Sequence, residues 1–380
     1  MDHIRKIIAE TNAYSCVDCG KCTVACPVAQ RNPEFAPRGL VDELHGEEQA
    51  IITGHKLWDC ITCGRCEIHC PSDVKFAEMV KHVRGLAYDG GRQGQCTHGG
   101  ALDSLMHLMG APGLKQDRLG WLDSSMKTND KSDTYYFVGC LPFFDVIFAH
   151  LGVKMTDTAK GAVHLMNRLD IEPGLFSNER CCGHDLLWAG DVEGFKKLAE
   201  MNMKEIAKSG AKRVVTTCPE CYYTLAVEYP YHIGDSGVEV VHISQLLGEN
   251  EQAEKIGYAE TDESVTFQDP CRLGRFSGVY DAPRTAIEAV PGLELKEMEH
   301  NRAKALCCGT QAWINCGSVN KQIQADRLHE AAATGVELLL TACPKCQIHL
   351  SCALQDGKLD GELNIRIEDM TAYLADKLQT

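Results

Sequence analysis

Eight cysteines near the N-terminus stand in two runs of one spacing, Cys16-x-x-Cys19-x-x-Cys22-x-x-x-Cys26-Pro27 and Cys60-x-x-Cys63-x-x-Cys66-x-x-x-Cys70-Pro71. This is the spacing of bacterial ferredoxins, in which three close cysteines bind one 4Fe–4S cubane and the fourth reaches the other. On that rule Cys16, Cys19, Cys22 and Cys70 hold one cubane, and Cys60, Cys63, Cys66 and Cys26 hold the second. Gly20 and Gly64 suit a chain that wraps closely round such a cluster. Structural zinc fits less well, because it takes paired CxxC knuckles rather than triplets followed by Cys-Pro. Ten further cysteines form two copies of another pattern. The first is Cys140, Cys181-Cys182-Gly183 and Cys218-Pro219-x-Cys221; the second is Cys271, Cys307-Cys308-Gly309 and Cys343-Pro344-x-Cys346. Each supplies five thiols, one more than a cubane or a tetrahedral zinc ion needs, which points to a larger or more open cluster.

These patterns require elements that carry them. Thr134 to Cys140 resembles Ser264 to Cys271, and Val214 to Cys221 resembles Leu339 to Cys346, so residues 134–380 contain two copies of one unit. Short apolar runs at Val214–Thr217 and Glu337–Thr341 predict buried parallel strands, and Thr158–Asp170 and Ala282–Val290 predict helices. Strand–helix alternation places the cysteines at the carboxyl ends of strands, where α/β sheets put their sites. Between Cys26 and Cys60 the stretch Pro37–Ile52 reads as helical, which favours a helical ferredoxin domain over the compact βαβ type. The expected organisation is a helical ferredoxin domain over 1–90, a linker over 91–133 with a short helix near Leu102–Met109, and two pseudo-symmetric α/β domains over 134–256 and 257–380.

Composition narrows the class. The net charge of −15 argues against a nucleic-acid partner. No secretory leader is visible near the start, so clustered cysteines read as metal ligands rather than disulfides and the expected location is cytoplasmic. The apolar stretch Tyr135–Val153 is interrupted by Gly139, Pro142, Asp145 and His150, unlike a membrane span. No P-loop, dinucleotide or flavin fingerprint occurs, so electrons must enter from another protein.

On these motifs, residues 134–380 resemble the cysteine-rich CCG domain of heterodisulfide reductases, and residues 1–90 resemble the small ferredoxin subunit of that system. The order of ferredoxin and then two CCG copies resembles the fused D-type subunit. The resemblance implies that Cys140, Cys181, Cys182, Cys218 and Cys221 hold one non-cubane 4Fe–4S cluster, and that Cys271, Cys307, Cys308, Cys343 and Cys346 hold another. It implies an oxidoreductase acting on sulfur groups as one subunit of a complex. Two cubanes would feed two clusters flanking a small disulfide or thiol substrate, so that a two-electron step is split in two. The implied partners are a flavoprotein or other redox subunit and a membrane quinone- or cytochrome-linked subunit, with peripheral attachment through the latter. The same domain order also resembles electron-transfer subunits of flavin dehydrogenases acting on glycolate, lactate or glycerol 3-phosphate. That is the alternative reading, in which no disulfide is turned over.

Two side chains stand out as candidates for chemistry. His184, after Cys182-Gly183, is a candidate proton donor to a leaving thiolate, although a packing role serves equally well. Arg272, where many relatives carry His, is a candidate partner for an anionic substrate group, with Arg275 beside it. His69 reads either as a residue that supports a cluster ligand from behind or as a surface residue. Trp58, Trp188 and Trp313 read as shields against water. Cys96, Cys316 and Cys352 fit no motif and read as small buried hydrophobes.

Overall fold

The structure is a computed structural model and describes residues 2–46, 48–249, 253–356 and 363–379. The chain forms two compact units. One comprises the segment through Leu108 together with Gly183–Phe195 and Leu306–Asp326; the other comprises Met109–Cys182, Lys196–Ala305 and the chain from Arg327 onward.

The first unit contains no regular strand among its described residues. The predicted helical stretch is two helices, Pro37–Gly46 and Glu48–Thr53. Proline at the first position suits a helix start, where its missing N–H costs nothing. Leu40, Val41 and Leu44 form the buried face of Pro37–Gly46. The longest wholly included helix, Phe76–Asp89, buries Phe76, Met79, Val80, Val83 and Ala87 at helical spacing. The helix His184–Ala189 packs against it. The helix expected near Leu102–Met109 is Ala101–Met109.

The second unit carries two parallel sheets. Strands β1 (Thr134–Phe137), β2 (Arg213–Thr216) and β3 (Glu239–His242) are ordered β1-β2-β3. Strands β4 (Ser264–Gln268), β5 (Glu294–Leu295), β6 (Leu338–Thr341) and β7 (Arg366–Asp369) are ordered β5-β4-β6-β7. The central strands β2 and β6 are the two runs read as buried strands, and Val214, Val215, Leu339 and Leu340 are fully covered. The order β1-β2-β3 thus recurs as β4-β6-β7, and the helices are exchanged between the copies. Met155–Arg168, after β1, packs on Met370–Asp376, after β7, and Asp281–Glu288, after β4, packs on Ile243–Gly248, after β3. The predicted helices Thr158–Asp170 and Ala282–Val290 are these two, displaced by one to three residues. No helix among the described residues is long and apolar enough to cross a membrane.

A buried ion pair closes the end of β1. Arg118 and Glu179 are each 1% exposed. Arg118 donates to Glu179 Oε1 and to the carbonyls of Glu179 and Gly139, each at 2.5 Å. The Glu179 carboxylate accepts in turn from the amides of Val138 (3.2 Å) and Gly139 (2.9 Å). Removing one partner of a buried pair leaves an uncompensated charge. Arg118→Met should therefore lower stability by about 3–5 kcal/mol in denaturant unfolding; a loss under about 1 kcal/mol would show that the clamp carries no net weight.

Candidate metal centres

In the ferredoxin region the two expected ligand sets differ in exposure. Cys26, Cys60, Cys63 and Cys66 are buried, whereas Cys16, Cys22 and Cys70 are half-buried and Cys19 is exposed. One small cavity is lined by Cys16, Cys22, Cys66 and Cys70 with Val41, Val74 and Phe76. The thiols of Cys26, Cys60, Cys63 and Cys66 act electrostatically on one another. Cys26 thus lies near the thiols of the second run, while Cys70 lines a cavity with Cys16 and Cys22 of the first run and Cys66 of the second. Burial pushes the Cys60 thiol up to about 11, with the Arg84 charge pulling against it. Burial also raises Cys22, Cys26 and Cys66. Amides point at sulfur: Thr62 N–H donates to Cys60 Sγ (3.3 Å) and Val74 N–H to Cys70 Sγ (3.4 Å). Gly20 and Gly64 both take positive φ beside their cysteines. Groups of buried thiols, each costly to ionise alone yet supplied with N–H donors, fit an iron–sulfur cluster.

In the first CCG copy, β1 ends before Cys140, and β2 ends before Cys218. Pro219 then starts a short helix, Pro219–Tyr223, and a π-helical stretch, Thr224–Glu228, leads on to Tyr229. The thiols of Cys181, Cys182, Cys218 and Cys221 converge. The Cys182 thiol is raised by its contact with Cys181 and by burial, and that of Cys221 by contact with Cys182 and Cys218 and by burial. A Cβ at Gly139, next to Cys140, would lie 3.1 Å from Cys221 Sγ, so the β1 loop reaches the same place. Adjacent cysteines need their backbone held. Asn202 accepts from Arg180 N–H (2.7 Å) and donates to Cys181 O (2.9 Å) and Tyr229 Oη (3.0 Å), while Tyr229 donates to Cys182 O (3.1 Å). Sequence reasoning missed both residues, since neither lies near a motif in the chain.

The second copy repeats the strand-end pattern, with Cys271 after β4 and Cys343 after β6. Burial raises the Cys343 thiol, and the charges of Cys218 and Glu220 add to it. The two Cys-Pro turns therefore lie close together. Glu220 and Lys345, the x residues of the two Cys-Pro-x-Cys motifs, form an ion pair at 2.7 Å with side chains 13% and 5% exposed. Their opposite charges at equivalent positions were a readable signal. The motif glycines have a steric reason. Gly183 and Gly309 both take φ +83°, and a Cβ would lie 2.8 Å from the Phe195 ring at the first and 2.8 Å from Asn320 O at the second.

His184 is buried, with its ring 5.7 Å from that of Trp188. Arg272 is also buried, its guanidinium stacked 4.0 Å over the Phe276 ring, while Arg275 donates to the carbonyls of Ala303 and Ala305. His69 is exposed, and Trp58, Trp188 and Trp313 are buried. The reading of the unassigned cysteines as buried is corrected. Cys316 is exposed and Cys96 and Cys352 are half-buried. Around Cys316 the backbone turns sharply, with positive φ at Ala312, Trp313 and Asn315; Trp313 and Ile314 point inward and the thiol points out.

Known proteins place this constellation. The 4Fe–4S dicluster domain family matches residues 12–74, and the cysteine-rich CCG domain family matches residues 134–226 and 265–351. The chain is an iron–sulfur protein in which a dicluster domain precedes two CCG domains. It carries the dicluster and CCG domain families in that order, and it is similar to heterodisulfide reductase D-type subunits. It is 30% identical to the D-type subunit of the dihydromethanophenazine:CoB–CoM heterodisulfide reductase of Methanosarcina barkeri over 272 residues, 70% of this chain and 63% of that protein. It is 27% identical to the B-type subunit of the fumarate reductase (CoM/CoB) of Methanothermobacter marburgensis, across 90% of this chain and 68% of that protein. It is likewise 27% identical to the EtfAB:quinone oxidoreductase of Syntrophomonas wolfei, across 60% of this chain and 34% of that protein. The chain spans under two thirds of the length of the Methanosarcina protein. Its cofactors are two cubane 4Fe–4S clusters in the dicluster domain and non-cubane 4Fe–4S clusters in the CCG domains, as in heterodisulfide reductases.

These placements can be tested one centre at a time. In anaerobically reconstituted protein, Cys26→Ser and Cys60→Ser should alter one reduced-state EPR signal and Cys70→Ser and Cys16→Ser the other; the opposite pairing would sink the cross-over. Asn202→Ala, which strands buried groups around Cys181, should lower the unfolding free energy by about 1–3 kcal/mol and reduce iron retention by the first CCG domain. Full retention after prolonged dialysis against chelator would count against the clamp.

Proposed function

We propose that this chain reduces, or in reverse forms, a disulfide at its CCG centres with electrons passed through the ferredoxin domain from a partner redox subunit. The observation that carries this reading is the approach of the two Cys-Pro turns, with Cys218 beside Cys343 and Glu220 paired to Lys345. Two multi-thiol centres brought together are what a two-electron S–S cleavage fed one electron at a time requires. Bound clusters would supply one-electron carriers in the ferredoxin domain and thiophilic iron beside the S–S bond in the CCG domains. Each turnover takes two electrons from the partner and two protons from solvent, breaks one S–S bond and releases two thiols.

The ligand sets proposed for the four centres are those of the motifs. Cys16, Cys19, Cys22 and Cys70 hold the outer cubane, and Cys60, Cys63, Cys66 and Cys26 the inner. Cys140, Cys181, Cys182, Cys218 and Cys221 hold the first CCG cluster, and Cys271, Cys307, Cys308, Cys343 and Cys346 the second. The exposed Cys19, with Tyr14, Val17 and Val24 uncovered beside it, supports electron entry at the outer set. His184 is proposed to deliver a proton to a departing thiolate. The stacking of Arg272 on Phe276 favours a fixed charge beside Cys271 over one that reaches out to substrate. The domain limits 1–90, 91–133, 134–256 and 257–380, the pseudo-symmetry of the CCG pair, and peripheral membrane attachment through a quinone- or cytochrome-linked partner belong to the same proposal.

A second reading is favoured by the likeness to the EtfAB:quinone oxidoreductase: a relay that serves a flavin dehydrogenase and turns over no disulfide. Thiol addition separates the two. Anaerobically purified protein should contain iron for four clusters, and after oxidation a small thiol should raise a new paramagnetic signal that Cys218→Ser or Cys343→Ser abolishes. Full iron content with no thiol-dependent signal would leave only the relay.

A further inference from the structure

The apolar face of the helix Phe76–Asp89 carries an arginine. Arg84 is 0% exposed and lies among Phe76, Met79, Val80, Val83 and Ala87. Its Nη1 donates to Trp188 O (3.0 Å) and Gln311 Oε1 (2.8 Å), and its Nη2 to the carbonyls of Cys60 (2.6 Å), Leu57 (3.1 Å) and Trp58 (3.4 Å). The guanidinium also lies 5.3 Å from the Trp58 ring centroid. A wholly buried cation is costly, and a packing role alone would be met better by Leu or Met. Lys81 is buried on the same helix but is paired to Glu78 at 2.5 Å, so its net field is small. The Arg84 charge bears directly on the Cys60 thiol.

Adding an electron to a thiolate-bound cluster adds negative charge. In a buried site this is penalised, so burial of Cys26, Cys60, Cys63 and Cys66 by itself drives the inner potential down. A fixed positive charge at the Cys60 loop opposes that penalty and costs no reorganisation when the electron arrives. We propose that Arg84 is a positioning residue whose buried charge holds up the reduction potential of the inner cubane, so that it accepts electrons from the exposed outer one. This rests on the ligand assignment above, Cys26 with Cys60, Cys63 and Cys66.

Redox titration followed by EPR on the full-length reconstituted chain tests it, with the inner signal defined as the one Cys60→Ser perturbs and the outer as the one Cys16→Ser perturbs. Arg84→Met should lower the inner midpoint and leave the outer one in place, and Arg84→Lys should recover most of the loss. Gln311→Leu, which removes one acceptor and keeps the charge, should leave the inner midpoint unmoved. If Arg84→Met does not accumulate as folded protein, the other two variants decide the matter. An unmoved inner midpoint in iron-replete Arg84→Met overturns the proposal. So do equal shifts of both signals, or downward shifts in both Arg84→Lys and Gln311→Leu. If Cys26→Ser perturbs the outer signal instead, the ligand assignment has failed rather than the role of Arg84.

Discussion

A guanidinium without water must take its hydrogen-bond acceptors from the chain around it, and Arg84 takes them from three separate stretches. One is Leu57–Cys60, which leads into the second ferredoxin run. Another is Trp188, in the helix that follows the first Cys-Cys-Gly turn, and the third is Gln311, just after the second such turn. The first compact unit is thereby tied at one point to segments more than a hundred residues apart in sequence. The donors of the fork have fixed directions, so these segments are held in orientation as well as in proximity.

Thiol burial is the complementary constraint. Cys26, Cys60, Cys66, Cys182, Cys221 and Cys343 all have their ionisation suppressed, by burial or by other thiols crowded against them. Such groups gain most from a cation that replaces the proton, which links retention of iron to the integrity of the fold. The amides aimed at Cys60 and Cys70 then serve the bound state, because sulfur accepts more strongly as thiolate.

The second unit solves a different problem, the presentation of adjacent cysteines from an α/β scaffold. Parallel strands end together, so the loops after β1 and β2 deliver Cys140, Cys218 and Cys221 to one edge of the sheet, and β4 and β6 do the same for Cys271, Cys343 and Cys346. Proline at the head of each following helix sets the turn, and Asn202 with Tyr229 fixes the carbonyls of Cys181 and Cys182. The Glu220–Lys345 pair then joins the two copies through the one variable position of each Cys-Pro-x-Cys motif.

Cysteine spacing alone determined two ferredoxin-type centres and two five-thiol sites; that the latter hold non-cubane clusters came from the resemblance to heterodisulfide reductases. Each triplet followed by Cys-Pro is a local instruction, and the two matched segments declared the duplication. The central strands were legible because a strand covered on both faces must be apolar throughout, as Val214–Val215 and Leu338–Leu340 are. Arg84 was not singled out, although it falls on the apolar stripe of its helix; only the packed structure supplies the distant carbonyls that make a buried charge tolerable there. Asn202, Tyr229 and the exposure of Cys316 were likewise decided by tertiary structure. A hydrogen bond to a backbone carbonyl or a sharp turn in a loop leaves almost no trace in residue type. Ligands are written in the sequence because metal binding demands one element at set intervals, whereas the groups that tune and hold them depend on which segments meet in space.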